Sequence, residues 1–108
     1  IPSSERFILD RRPAIPKIFI LYPAYPNPFN PMTTLRYGLP EKTFVMLTIY
    51  DMLGREITQL INSNQEAGFK SIQWDATDSF GRPVSAGIYV YQIYAGEFVQ
   101  TRKLVLLK

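Results

Sequence analysis

The chain has 108 residues, of which 46% are hydrophobic and 19% charged, and its formal net charge at pH 7 is +3. A chain of this length buries roughly 60–65% of its unfolded surface, which is enough for one domain with a core. Because cysteine and histidine are both absent, disulfides, Cys/His zinc clusters, thiolate nucleophiles and imidazole bases are excluded. We predict no cofactor.

The distribution of charge and hydropathy argues against two classes of partner. Basic residues are scattered, with no run longer than Arg11-Arg12, so nucleic acid is not an expected partner. No apolar run reaches the roughly 20 residues that a transmembrane helix requires, so we predict no membrane span. The chain begins at Ile1 without a signal segment, and we expect it to be a piece of a longer protein.

The hydropathy pattern divides the chain into two parts. Residues 1–16 contain three prolines and no hydrophobic period, which predicts a linker or arm. Over residues 17–108, short apolar runs alternate with turn residues every eight to twelve positions or so, as is typical of an all-β domain. The predicted strands are Lys17–Tyr22, Thr33–Leu39, Phe44–Tyr50, Arg55–Ile61, Lys70–Trp74, Gly87–Ala95 and Phe98–Leu107. Seven strands in a domain of this size predict an immunoglobulin-like antiparallel β-sandwich.

Turn residues predict the connections between these strands. Four prolines between Pro23 and Pro31 exclude a helix or a central strand and predict an extended, ordered loop. Asp51–Gly54 predicts a type I turn closed by glycine. Ile57 and Leu60 lie three positions apart in a short run, which predicts a β-bulge rather than a helix. The longer predicted loops are Asn62–Gly68 and Asp75–Ala86.

Several residues could carry function, and each has a simpler structural interpretation. Phe29 in the proline-rich loop could belong to a ligand for an aromatic groove, but we favour a plug at one end of the sandwich. Asp75 and Asp78 lack calcium-loop spacing, so we predict turn formation rather than a metal site. Tyr89 and Tyr91 share a strand face with Ile93 and are predicted to lie in the core.

Three further expectations complete the interpretation of the strands. Tyr50 and Tyr94 point to the outer faces, so they are candidates for contact with a partner. No imidazole can activate the serines and no paired carboxylates mark a cleft, so an enzyme is not expected. The last strand has Leu104 and Leu106 on one face and leaves Val105 and Leu107 on the other. Residues on this outer face predict either a fully covered strand or a docking surface.

Three sequence blocks, taken together, resemble a known family. "YPNPFNP", "IYDMLGREI" and "AGFKSIQWDATDSFGRPVSAGIYVYQIYAGEFVQTRKLVLLK" occur in this order and resemble the type A C-terminal sorting domain of the type IX (Por) secretion system. They are also similar to the immunoglobulin-like domain of flagellar hook-capping proteins. The positions that the resemblance implies as the recognised signal are Gly87, Tyr89, Gly96, Lys103, Leu104, Val105, Leu106, Leu107 and Lys108.

The resemblance implies a secretion signal attached to a larger cargo protein, with residues 1–16 as the tether. The implied partners are an outer-membrane shuttle, a translocon and a sortase-like protease that removes the domain, with the cargo secreted or held at the surface of a Gram-negative-type bacterium. We expect Leu104–Lys108 to dock by strand addition at an exposed edge. The alternative is a structural or carbohydrate-binding accessory module of a secreted enzyme, or a flagellar-cap-type domain.

Overall fold

A computed structural model describes residues 15–107. Within this range the chain forms seven strands and no helix, as the turn spacing predicts. The strands are β1 (Ile20–Leu21), β2 (Thr33–Leu39), β3 (Thr43–Asp51), β4 (Glu56–Gln65), β5 (Gly68–Trp74), β6 (Gly87–Ala95) and β7 (Phe98–Leu106).

The strands form two antiparallel sheets that enclose one hydrophobic core. One sheet has the order β1-β2-β5 and the other β4-β3-β6-β7. Side chains alternate between core and solvent along β2 and β3, and the inward residues Leu35, Leu39, Val45, Leu47 and Ile49 are all fully buried. The fold is therefore the predicted immunoglobulin-like β-sandwich, and it reaches this form without the disulfide of antibody domains.

The predicted bulge in β4 is present and is double. The pairing of β3 with β4 shifts register twice, so that Leu60 and Ile57 are passed over. Both of these extra residues are half-buried and pack against the core. Each bulge inserts one residue, and the two together let side chains three positions apart face the same interior.

Two predicted boundaries were wrong. The first predicted strand, Lys17–Tyr22, contains only two paired residues, because the segment before Ile20 leaves β2 and Phe19 stacks on Phe98 of the other sheet at 5.7 Å. Much of the predicted loop Asn62–Gly68 belongs to strands, with β4 running to Gln65. Backbone pairing does not require apolar side chains, so a polar edge strand has the composition of a loop.

The first part of the chain falls largely outside the described residues. Of the predicted linker 1–16, only Ile15 and Pro16 are described, and Pro16 is buried. A Cβ on Gly38 would lie 2.8 Å from the Pro16 ring, so this proline packs directly on β2. The packing of the sandwich therefore includes at least one residue of the predicted arm.

Candidate recognition site at the terminal strand

The antiparallel pairing of β6 with β7 brings most of the predicted signal residues together. Gly87 lies opposite Leu106, and Tyr89 lies opposite Leu104. Gly96 lies in the turn between these two strands, at the other end of the sheet. The structure thus groups the start of β6 with the end of β7 and separates Gly96 from them. The last predicted residue, Lys108, lies outside the described residues.

The side chains of the terminal strand divide between the core and the outer face. Leu104 and Leu106 are fully buried in the core. Lys103 and Leu107 are exposed, and Val105 is half-buried. A partner that binds the folded domain can therefore reach only the second group of side chains.

The edge of this strand is closed by the proline-rich loop, which corrects the expectation of an exposed edge. The Phe29 N–H donates to the Val105 carbonyl at 2.9 Å, and the Leu107 N–H donates to the Phe29 carbonyl at 2.8 Å. The side chain of Asn27 donates to the Lys103 carbonyl at 3.0 Å and accepts from the Val105 N–H at 2.9 Å. Strand addition along Leu104–Leu107 would have to displace this loop, because the outward backbone groups of Val105 and Leu107 are already bonded.

An aromatic cluster packs the proline-rich loop against β5, through Trp74, and against β6, through Tyr89. The Phe29 ring lies 5.7 Å from the Trp74 ring, which in turn lies 5.6 Å from Tyr89. The Trp74 indole donates to the Thr77 carbonyl, and the Tyr89 hydroxyl donates to the Ser85 carbonyl. Burial, together with the nearby Asp51 charge, raises the pKa of Tyr89. Phe29 is buried, as the predicted plug requires.

Two loops with the same hydrogen-bond pattern flank this end of the sandwich, and both have the sequence Asp-x-x-Gly-Arg. In the first, Asp51 Oδ1 accepts the N–H groups of Leu53 and Arg55, both at 2.9 Å, and Oδ2 accepts the Arg55 Nε–H at 2.8 Å. The Asp51 N–H also donates to the Arg55 carbonyl at 3.0 Å. The Gly54 N–H donates to the Asp51 carbonyl at 3.1 Å, and Gly54 closes the turn with φ +84°. Alanine at Gly54 would be strained in this left-handed conformation.

The second loop repeats every one of these bonds. Asp78 Oδ1 accepts from the N–H groups of Phe80 at 2.9 Å and Arg82 at 3.0 Å, and Oδ2 accepts from the Arg82 Nε–H at 3.2 Å. Gly81 has φ +81°. Backbone hydrogen bonds from the arginine residues, above all, hold the pKa of both carboxyl groups below the usual range.

The acidic residues of this region therefore form turns, as predicted. Asp75 accepts a hydrogen bond from the Thr77 hydroxyl at 2.5 Å, and Asp78 is bonded within its own loop. Among residues 15–107, no group of three potential metal ligands comes together. The same range also contains no helix that is long and apolar enough to cross a membrane.

A family model identifies the chain at this point. The model described as the secretion system C-terminal sorting domain matches residues 23–107, which include both the proline-rich loop and the terminal strand. The chain belongs to this family. As a sorting domain, it marks a protein for secretion to the cell surface or beyond. The comparison with curated proteins gave no match.

Solved structures share the fold of this sorting domain. Latent dimeric PorU from Porphyromonas gingivalis superposes with a TM-score of 0.68 and 20% identity, over 87% of this chain and 10% of that chain. PorZ, a surface component of the type IX secretion system of the same organism, gives 0.58 and 21%, over 82% and 11%. FlgD from P. aeruginosa gives 0.54 and 25%, over 68% and 57%. The chain thus spans about a tenth of the length of PorU and PorZ.

The contribution of Asn27 was not predicted from the sequence. Asn27 belongs to the "YPNPFNP" block, which predicts a rigid loop but does not indicate which strand the loop covers. Its amide matches the donor and acceptor of a peptide group, so it can close a strand edge as backbone does. An asparagine between prolines is the one signal that could have suggested this role.

Proposed function

We propose that this sorting domain is recognised by the type IX secretion machinery through the outward side chains of its terminal strand. The observation that carries the proposal is that the end of the chain is hydrogen-bonded on both sides: Lys103–Leu106 pairs with β6, and Lys103–Leu107 bonds to the loop at Asn27 and Phe29. A strand held on both sides presents Lys103, Val105 and Leu107 in a fixed spacing. Fixed groups lose little conformational entropy when a partner binds.

The wider role follows from this recognition step. The domain carries a larger cargo protein through the periplasm and across the outer membrane of a Gram-negative-type bacterium, to the surface or the medium. Its partners are an outer-membrane shuttle, a translocon and a sortase-like protease. Residues 1–16 act as the tether to the cargo and as the region where the domain is cut off. The role is one of recognition, without catalysis by the domain itself.

Secretion of a reporter fused to the complete chain tests this proposal. The host is a bacterium with a type IX system, and the reporter carries a periplasmic signal sequence. Deleting Leu104–Lys108 should leave the fusion in the periplasm, but that deletion also removes core side chains. The sharper test is Lys103→Glu with Leu107→Ser, since both side chains are exposed.

A matched control lies at the other end of the same strand. Glu97→Lys with Val99→Ser changes one charge and one exposed apolar residue near the β6–β7 turn. We expect the control to be secreted like the unmodified fusion and the Lys103/Leu107 variant to accumulate, folded, in the periplasm. Normal secretion of the Lys103/Leu107 variant would contradict recognition through this strand.

The accessory-module alternative has its own test. Tyr94 is 40% exposed and lies opposite Val99 on the outer face of the larger sheet, where a sugar ring could stack. If the domain bound polysaccharide there, titration would show binding that Tyr94→Ala removes. The matching family model favours the sorting role over this alternative.

A further inference from the structure

The twin Asp-x-x-Gly-Arg loops display apolar side chains at their tips. Leu53 is 79% exposed, Phe80 is 80% exposed and Met52 is 64% exposed. Each lies between the aspartate and the glycine of its loop. These three residues form what we call the twin-loop surface. Large apolar side chains exposed on neighbouring loops are candidates for an interaction site.

The loops hold these tips in fixed positions. The aspartate of each loop accepts backbone N–H groups two and four positions later, and the loop is also closed by backbone bonds between its ends. A segment with its backbone bonded in this way has little freedom left to lose on binding. Preorganised apolar side chains bind a partner with a smaller entropic cost than mobile ones.

The two loops lie side by side and adjoin the recognition site. The Ser79 N–H donates to the Ile57 carbonyl at 3.1 Å, which joins the second loop to the strand that follows the first. Arg55 and Arg82 line a common cleft of about 290 Å³. A second cleft, of about 490 Å³, extends from Met52 to Gly87, where β6 meets the end of β7.

The charges of the loops indicate the chemistry of the partner. Arg55 and Arg82 each bind the aspartate of their own loop, so neither loop has a net formal charge. The Arg82 guanidinium also lies 5.0 Å from the centre of the Phe80 ring. Internally neutralised loops offer little attraction to an anionic lipid surface, which draws its ligands through unpaired lysine and arginine. Rigid aromatic and aliphatic tips are instead typical anchors for pockets in a protein partner.

We propose that the twin-loop surface is a second docking element of the sorting signal, which inserts Leu53 and Phe80 into an uncharged apolar pocket of a protein of the secretion machinery. This inference rests on the proposed sorting function and adds a surface remote in sequence from the terminal strand. It predicts that secretion depends on side chains that have no part in the core.

The reporter fusion distinguishes this inference from the sorting function itself. Leu53→Ser with Phe80→Ser should lower the secreted fraction by about tenfold or more, since each buried anchor contributes about that factor in affinity. The matched control is Phe69→Ser with Val99→Ser, which removes two exposed apolar side chains from the opposite end of the sandwich. The control should be secreted normally. If the unmodified fusion is not secreted, both proposals fail. If the twin-loop variant is secreted at the level of the unmodified fusion, this inference alone is overturned.

Photo-crosslinking gives a readout that does not depend on the stability of a variant. Benzoylphenylalanine placed at position 53 or 80 of the secreted fusion should crosslink to a protein of the type IX machinery, identified by mass spectrometry. The same probe at position 69 should not give that product. Crosslinks from positions 53 and 80 only to phospholipid, or equally from position 69, would overturn the inference.

Discussion

The Asn27 side-chain oxygen accepts a hydrogen bond from the Val105 N–H at 2.9 Å, across 78 positions of the sequence. The amide nitrogen of the same side chain donates to the Lys103 carbonyl at 3.0 Å. One asparagine thus occupies the place of a neighbouring strand and joins the proline-rich loop to the terminal strand, which lie far apart in the sequence. The terminal strand and the proline-rich loop form one structural unit.

Replacing Asn27 should loosen this unit. Asn27→Ala removes both bonds and should lower the free energy of unfolding by about 1–2 kcal/mol, because the Val105 N–H and the Lys103 carbonyl lose their partner. Hydrogen exchange at the Val105 amide should accelerate, as measured by NMR. Asn30→Ala, an exposed asparagine in the same loop, is the control. Unchanged protection at Val105 in the Asn27 variant would contradict the bridging role.

The plug at Phe29 should contribute more to stability than the bridge. Phe29→Ala leaves a cavity against Trp74 and should lower the free energy of unfolding by about 3–4 kcal/mol. Trp74 is the single tryptophan, so its fluorescence during urea unfolding reports on this end of the sandwich. Tyr25→Ala, at a residue of the same loop that is 73% exposed, should change stability by less than about 0.5 kcal/mol. Equal losses in the two variants would show that the plug does not stabilise the fold.

The twin loops should make stability depend on pH in the acidic range. The folded state holds the pKa of Asp51 and Asp78 below the usual value, which is about 3.9 in an unfolded chain. These groups therefore stabilise the fold above that value, and the contribution is lost as pH falls through the folded pKa. The urea concentration at the unfolding midpoint should therefore fall as the pH is lowered from about 6 to about 2.5.

The double variant Asp51→Asn with Asp78→Asn isolates this contribution. It should be less stable than the wild-type protein at neutral pH and should lose less stability on acidification, because its amides do not titrate. The control is Glu97→Gln in the exposed β6–β7 turn, whose stability should depend on pH as that of the wild-type protein does. If the double variant lost as much stability on acidification as the wild-type protein, the acid sensitivity would belong to other residues.

Burial should delay the ionisation of Tyr37, Tyr89 and Tyr91 in alkali. Burial raises the pKa of Tyr37 to about 12, and it also raises the pKa values of Tyr89 and Tyr91. Because the folded state disfavours their ionised forms, unfolding should become easier as pH rises from about 10 towards 12. The absorbance of the tyrosinate band, followed as a function of pH, measures these ionisations. Tyr37→Phe should remove the step near pH 12, and the persistence of that step would contradict the assignment.

The sequence predicted the strands where side chains alternate with a period of two. β2 and β6 begin and end where the pattern predicts, because both alternate and both end at turn residues. The same logic failed for the end of β4, whose polar residues pair through backbone alone. The family was also evident from the order of its sequence blocks, and the matching family model confirmed it.

Composition and alternation by themselves determined an all-β sandwich with Leu104, Leu106, Tyr89 and Tyr91 in its core, because burial of apolar side chains follows the strand period. They could not determine what covers the outer edge of the terminal strand. Every residue except proline carries the same backbone N–H and C=O groups, so a covered edge and an open one can have the same side-chain pattern. Only the tertiary structure shows that Asn27 and Phe29 close that edge and that the two Asp-x-x-Gly-Arg loops lie beside it.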